Sequence, residues 1–77
     1  MSMIDVRRAF TEGLQGKASL LSATMEYLEG GRQQRLVFSI TRDGKPYSAT
    51  EDIPAAANIN TEAKRMAAEW LAKTEGA

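Results

Sequence analysis

Two turn signals, Gly30-Gly31 and Asp43-Gly44, constrain what this chain can fold into more than any other feature. Both dipeptides suit a two-residue hairpin loop, in which the backbone takes positive φ to match the twist of the flanking strands. Each therefore sets a register by itself. A loop at Gly30-Gly31 places Glu29 opposite Arg32, Tyr27 opposite Gln34, Met25 opposite Leu36, Ala23 opposite Phe38 and Leu21 opposite Ile40. A loop at Asp43-Gly44 places Arg42 opposite Lys45, Ile40 opposite Tyr47 and Phe38 opposite Ala49. The two registers are independent, yet together they put Leu21, Ala23, Met25, Leu36, Phe38, Ile40, Tyr47 and Ala49 on one face. A slip of one residue in either hairpin would turn that strand's apolar set towards water. Three antiparallel strands are therefore expected over residues 19–29, 32–42 and 45–52.

The opposite face carries Ser22, Thr24, Glu26, Arg35, Val37, Ser39, Ser48 and Thr50, the pattern of a solvated sheet face. Arg35 is expected between Glu26 on one neighbouring strand and Asp52 on the other, a favourable cross-strand arrangement. Pro46 falls just after the second turn in an edge strand, and Pro54 is expected to stop the third.

Helices flank the strands. Met3, Val6, Ala9, Phe10 and Leu14 form one stripe over residues 2–15, with Ser2 as a cap, Gly13 weakening the last turn and Gly16 ending it. Ala63, Met66, Ala67, Trp70 and Leu71 recur at helical spacing over residues 61–74, with Asn58 or Asn60 as the cap and Glu69–Lys73 as an outer pair. Core packing is the expected role of Met66 and Trp70, and Tyr27 is expected to be partly exposed. One apolar sheet face and two apolar stripes predict a single α+β domain over residues 1–77. Its order is helix-strand-strand-strand-helix, a three-stranded antiparallel meander with both helices on the face bearing Phe38.

Composition narrows the chemistry. The chain has no cysteine and no histidine. That excludes disulfides and thiolate metal sites, and removes the commonest metal ligand and the usual general base near neutral pH. No carboxylate pair sits in an apolar setting that would separate two pKa values for acid–base work. Glu51 and Asp52 are adjacent in a strand, so their side chains point to opposite faces. Gly30-Gly31 is a hairpin turn rather than a phosphate loop, because no helix follows it. A non-catalytic domain without cofactor or metal is expected. No signal peptide or membrane span is legible, so a cytoplasmic setting without a membrane partner is expected.

Ten basic and ten acidic side chains give zero net charge, so no global field draws in a polyanion. The basic residues nevertheless gather in three places. These are Arg7-Arg8 on the first helix, Arg32 at the first turn, and Lys64-Arg65 at the start of the last helix. Acidic residues are interspersed throughout, and ordinary solvated charge accounts for most such clusters. In a helix-strand-strand-strand-helix domain, however, those three places can lie along one side.

The element order resembles the double-stranded RNA-binding domain, and the likeness is most specific in Thr61-Glu62-Ala63-Lys64-Arg65-Met66-Ala67-Ala68-Glu69-Trp70-Leu71. That stretch is similar to the family's closing helix, where a lysine cluster grips phosphates across the RNA major groove. Ala63-Lys64 fits the end of the pattern, whereas Asn60 and Thr61 stand at its two preceding basic positions. The family's first hairpin loop carries Gly-Pro-x-His; here it reads Gly30-Gly31-Arg32. The connection before the last helix, residues 53–60, is longer and more apolar than the family's usual form. The resemblance implies a nucleic-acid site at Arg7, Arg8, Arg32, Lys64 and Arg65, of weak, salt-sensitive affinity. A fainter likeness is to the arm-binding domains of tyrosine recombinases, which read a groove with a three-stranded sheet. The Ser- and Thr-rich outer face here does not suit that role.

The alternative partner is a protein, bound through the outer sheet face or a strand edge. The run from Ser19 to Met25 lacks charge, and Glu26 is the first charge to follow it. Any homodimer is therefore expected to pair first strand to first strand, antiparallel about a two-fold axis, with Thr24→Pro expected to break it while leaving much of the monomer fold.

Overall fold

A computed structural model of the chain describes residues 3–75, in the order α1 (Met3–Leu14), β1 (Ser19–Leu28), β2 (Gln33–Arg42), β3 (Lys45–Pro54) and α2 (Ile59–Glu75). The strands form one antiparallel sheet in the order β1-β2-β3, and both helices cover the face bearing Phe38. Val6, Phe10 and Leu14 of α1 close over Leu36, Phe38 and Ile40 of β2, all six side chains being fully buried. The Phe10 and Phe38 rings stack at 4.0 Å. On the other side of the core, Trp70 of α2 meets Tyr47 of β3 edge-on at 5.4 Å. Arg42 lies 4.8 Å over the Trp70 ring and donates to Thr74 Oγ1 at 2.8 Å, so its cation caps the aromatic pair.

The helices run side by side in the same direction. Arg8 of α1 shares a cleft with Asn60 and Lys64 at the start of α2, and Lys17, just beyond α1, pairs with Glu75 at the far end of α2 at 3.2 Å. The contact between them depends on Gly13, which is buried rather than merely a weak point in the last turn. A Cβ there would lie 2.7 Å from both Ala67 Cβ and the Lys64 carbonyl. Reversal of the chain after α1 starts one residue before Gly16, with Gln15 itself at φ 55°. Ser2, the expected cap, lies outside the described residues. Asn58 caps α2, accepting from the Thr61 amide at 3.0 Å. The helix starts two residues before the expected position, because Ile59 is buried in the core.

The register runs as expected from Ala23↔Phe38 to Tyr27↔Gln34 and throughout β2–β3, with two corrections. The first concerns the turns. In an antiparallel ladder, a residue sends its N–H and C=O to one side and its neighbour sends them to the other. Two-residue loops at both ends of β2 would require Arg32 to bond towards β1 and Arg42 towards β3. Residues 32 and 42 have the same parity, so a regular strand cannot do both. Asp43-Gly44 keeps the narrow loop, with both residues at positive φ. The first loop widens: Glu29 leaves the ladder at φ 50°, and Leu28↔Gln33 becomes the last pair.

The second correction concerns Leu21, which was expected opposite Ile40. Pairing shifts between Leu20 and Ser22, so Leu20 faces Ile40 and Leu21 bulges out, 57% exposed. Consecutive leucines offer the core either side chain, and the bulge lets Leu20 take the inward place. At the other end, Pro54 remains in β3 rather than stopping it, because Ile53 is buried and Ala55 carries the ladder one step further. No described helix is long and apolar enough to cross a membrane.

Candidate functional site

Of the five basic residues expected to form a site, the fold gathers some and disarms one. Arg8 and Lys64 line one shallow cleft between α1 and α2, but Asp5 and Glu12 line it too, and Lys64 Nζ lies 4.0 Å from Glu12. Arg32 sits at the tip of the first loop near the same end, since its carbonyl accepts from the Ala55 amide at 3.0 Å just ahead of α2. Arg7 leaves the helix about 100° from Arg8, is exposed, and does not line that cleft. Arg7, Arg8 and Arg32 make no ion pair among the described residues.

Arg65 is committed elsewhere. Its guanidinium pairs with Glu51 from β3, donates to Glu62 at 2.6 Å and donates to Glu69 at 2.8 Å. Glu51 first, then Glu62, hold its pKa above the usual arginine range. A phosphate would have to displace carboxylates that already satisfy the fork. Glu69 thus faces Arg65 one turn back rather than Lys73, the expected pair. On the outer face Arg35 bridges Asp52 at 2.8 Å and Glu26 at 3.5 Å, as the register predicts. Its hydrogen bond holds the Asp52 carboxyl below the ordinary range.

The first-strand edge is better defined. The Ala55 amide donates to the Arg32 carbonyl, continuing the β2–β3 ladder, so even-numbered residues of β2 bond towards β3. The narrow Asp43-Gly44 loop requires the same phase. Odd-numbered residues of β2 therefore bond to β1, and their partners Ser22, Thr24, Glu26 and Leu28 have their backbone groups inside the sheet. Ala23, Met25 and Tyr27 turn theirs outward. This corrects the expectation for Thr24, whose amide belongs to the monomer's own ladder.

The same phase makes Pro46, Ser48, Thr50, Asp52 and Pro54 the outward positions of β3. Two of those five positions have no N–H to offer. Pro46 was expected in an edge strand, whereas Pro54, expected to end that strand, takes the matching outward position at its other end. The narrow Asp43-Gly44 loop was the signal that could have revealed it.

Exposed apolar residues fall on the β1 side as well. The large hydrophobic side chains exposed among the described residues are Ile4, Leu21 and Tyr27, at 66%, 57% and 65%. Leu21 and Tyr27 belong to β1, and Ile4 belongs to α1. Tyr27 was expected to be partly exposed, and it is, because it lies opposite Gln34 near the end of the sheet.

No family model matches the chain, and neither a characterised protein nor a solved structure matches it.

Proposed function

We propose that this domain is a non-catalytic interaction module whose working surface is the β1 edge, where it accepts an extended strand from a protein partner. The observation that carries the reading is the outward row of backbone groups at Ala23, Met25 and Tyr27, with no proline among them. Strand addition draws its affinity from such main-chain bonds and its selectivity from flanking side chains. Leu21 and Tyr27 supply exposed apolar surface along the same strand.

A labelled peptide of the Ser22–Leu28 sequence tests the edge directly. It should bind the domain, and binding should slow amide exchange at Ala23, Met25 and Tyr27 while leaving β3 unchanged. Protection that appears on β3 or in the cleft between the helices, with none on β1, would sink the reading.

Duplex nucleic acid is the second reading, supported by Arg8 and Lys64 sharing one cleft near the Arg32 loop, and by the likeness to the double-stranded RNA-binding domain. With Arg65 held by glutamates, two or three phosphate contacts remain. Affinity for duplex RNA or DNA should then fall with salt at a log–log slope of about −2 to −3. Anisotropy titrations at two salt concentrations measure that slope, and undetectable binding at low salt removes this reading.

A further inference from the structure

We propose that the strand received at this edge is β1 of a second copy of the chain, antiparallel, with the two-fold axis passing at Met25. This deepens the β1-edge reading and rests on it.

Three features of the edge make it complementary to itself in one register. The first is the length of regular strand. The bulge at Leu20/Ser22 ends it on one side and the widened loop at Glu29 on the other, leaving Ser22 to Leu28 with its midpoint at Met25. The second is phase. Outward backbone groups occur at odd positions, and a two-fold at Met25 sets odd opposite odd, joining Ala23 to Tyr27 of the other copy and Met25 to itself. Exposed Tyr27 then meets a small, half-buried side chain.

The third feature is charge. Glu26 is the one charged residue in β1, and its own Arg35 already holds it. An axis at Met25 places Glu26 opposite Thr24. Moving the axis to residue 26 would set Glu26 against Glu26, which is destabilising across strands. Moving it to residue 24 would drive the bulged Leu21 into the ladder opposite Tyr27. Zero net charge means no long-range repulsion keeps the copies apart.

The absence of native cysteine makes the register measurable with single thiols. Thr24→Cys and Glu26→Cys proteins are mixed and oxidised, and the disulfide species are compared with each protein oxidised alone. Across an axis at Met25, positions 24 and 26 form a non-hydrogen-bonded pair, whose closer side chains favour a disulfide. The mixed species should exceed either homodimer several-fold, and Ala23→Pro in both proteins should reduce it to background. Predominance of the Thr24→Cys homodimer or the Glu26→Cys homodimer would overturn the register.

Sedimentation equilibrium of the unmodified chain into the high micromolar range should show a monomer–dimer equilibrium. A monomer throughout overturns the second copy as occupant. If the Ser22–Leu28 peptide still binds such a monomer, the edge reading stands without the dimer. If it does not, both fall.

Discussion

The two edges of the sheet are equal in length, ten residues each, yet they offer a partner different backbones. Along β3 the outward positions begin and end with proline, and an ion pair to Arg35 occupies Asp52 between them. Along β1 the outward positions are Ala23, Met25 and Tyr27, with full hydrogen-bonding capacity and one neutralised carboxylate nearby. Sheet edges usually carry protection against pairing with another chain. Here one edge has it in the phase where it works, and the other depends on a single bulge at its start. The contrast shows that a proline protects an edge only when parity turns its missing N–H outward.

The strongest test of that contrast removes its shared support. Phe38 lies beneath α1 at the centre of β2, stacked on Phe10, and both edges take their register from that strand. Phe38→Ala should cost about 3–5 kcal/mol, enough to unfold a domain of this size. Loss of the thermal transition checks it, and a melt close to the parent's would break the picture of one common core.

A pair of prolines sharpens the comparison within β1. Thr24→Pro removes a bond inside the sheet and leaves the Val37 carbonyl without its donor, a loss of about 1–3 kcal/mol. Ala23→Pro removes an outward donor and should leave monomer stability much closer to the parent while abolishing edge pairing. Denaturant melts and sedimentation on the two variants separate these effects. Equal destabilisation by both would mean that the assigned phase is wrong.

Replacing Pro46 and Pro54 together by alanine should make the edges alike. The β3 edge regains two outward donors, so pairing can propagate through both sides of each copy instead of closing at a dimer. Light scattering should show larger assemblies from the double variant at concentrations where the parent reaches a dimer at most. An unchanged size distribution would show that β3 is protected by something other than its prolines.

The smallest effect concerns Asp52, the charged outward position of β3. Arg35 holds its carboxyl below the ordinary value, so folding favours the ionised form. The stability this contributes is present above the ordinary carboxylate range and is lost as pH falls through the lowered value. Asp52→Asn should remove that part of the acid dependence and leave the neutral-pH melt nearly unchanged, since the pair is exposed and screened by solvent. A steep acid transition that survives the substitution would place its origin elsewhere.

Much of the architecture follows from local pattern alone. The stripes at Val6, Phe10 and Leu14 and at Ala63, Met66, Ala67 and Trp70 identify both helices and their inward faces, because burial demands helical spacing. The agreement of the two hairpin registers identifies the inward face of β2, because side chains alternate with a period of two. Even the widened first loop is implicit in the sequence. Arg32 and Arg42 share a parity, so two narrow loops cannot close on one regular strand.

Other features arise only when the layers meet. Leu20 and Leu21 are equivalent to a local reading, and only the pairing of β1 with β2 in the assembled sheet shows the bulge that sets Leu20 opposite Ile40. Gly13 looks like a weak point in a helix until α2 comes within reach of its Cα, where a methyl group has no room. Arg65 looks available for phosphate until β3 carries Glu51 under α2 to join Glu62 and Glu69 around it. Sequence alone determined which faces are buried, because burial repeats with the local period of each element. Tertiary structure decided which charges are free and which backbone edge is open, because those depend on residues far apart in the chain meeting in space.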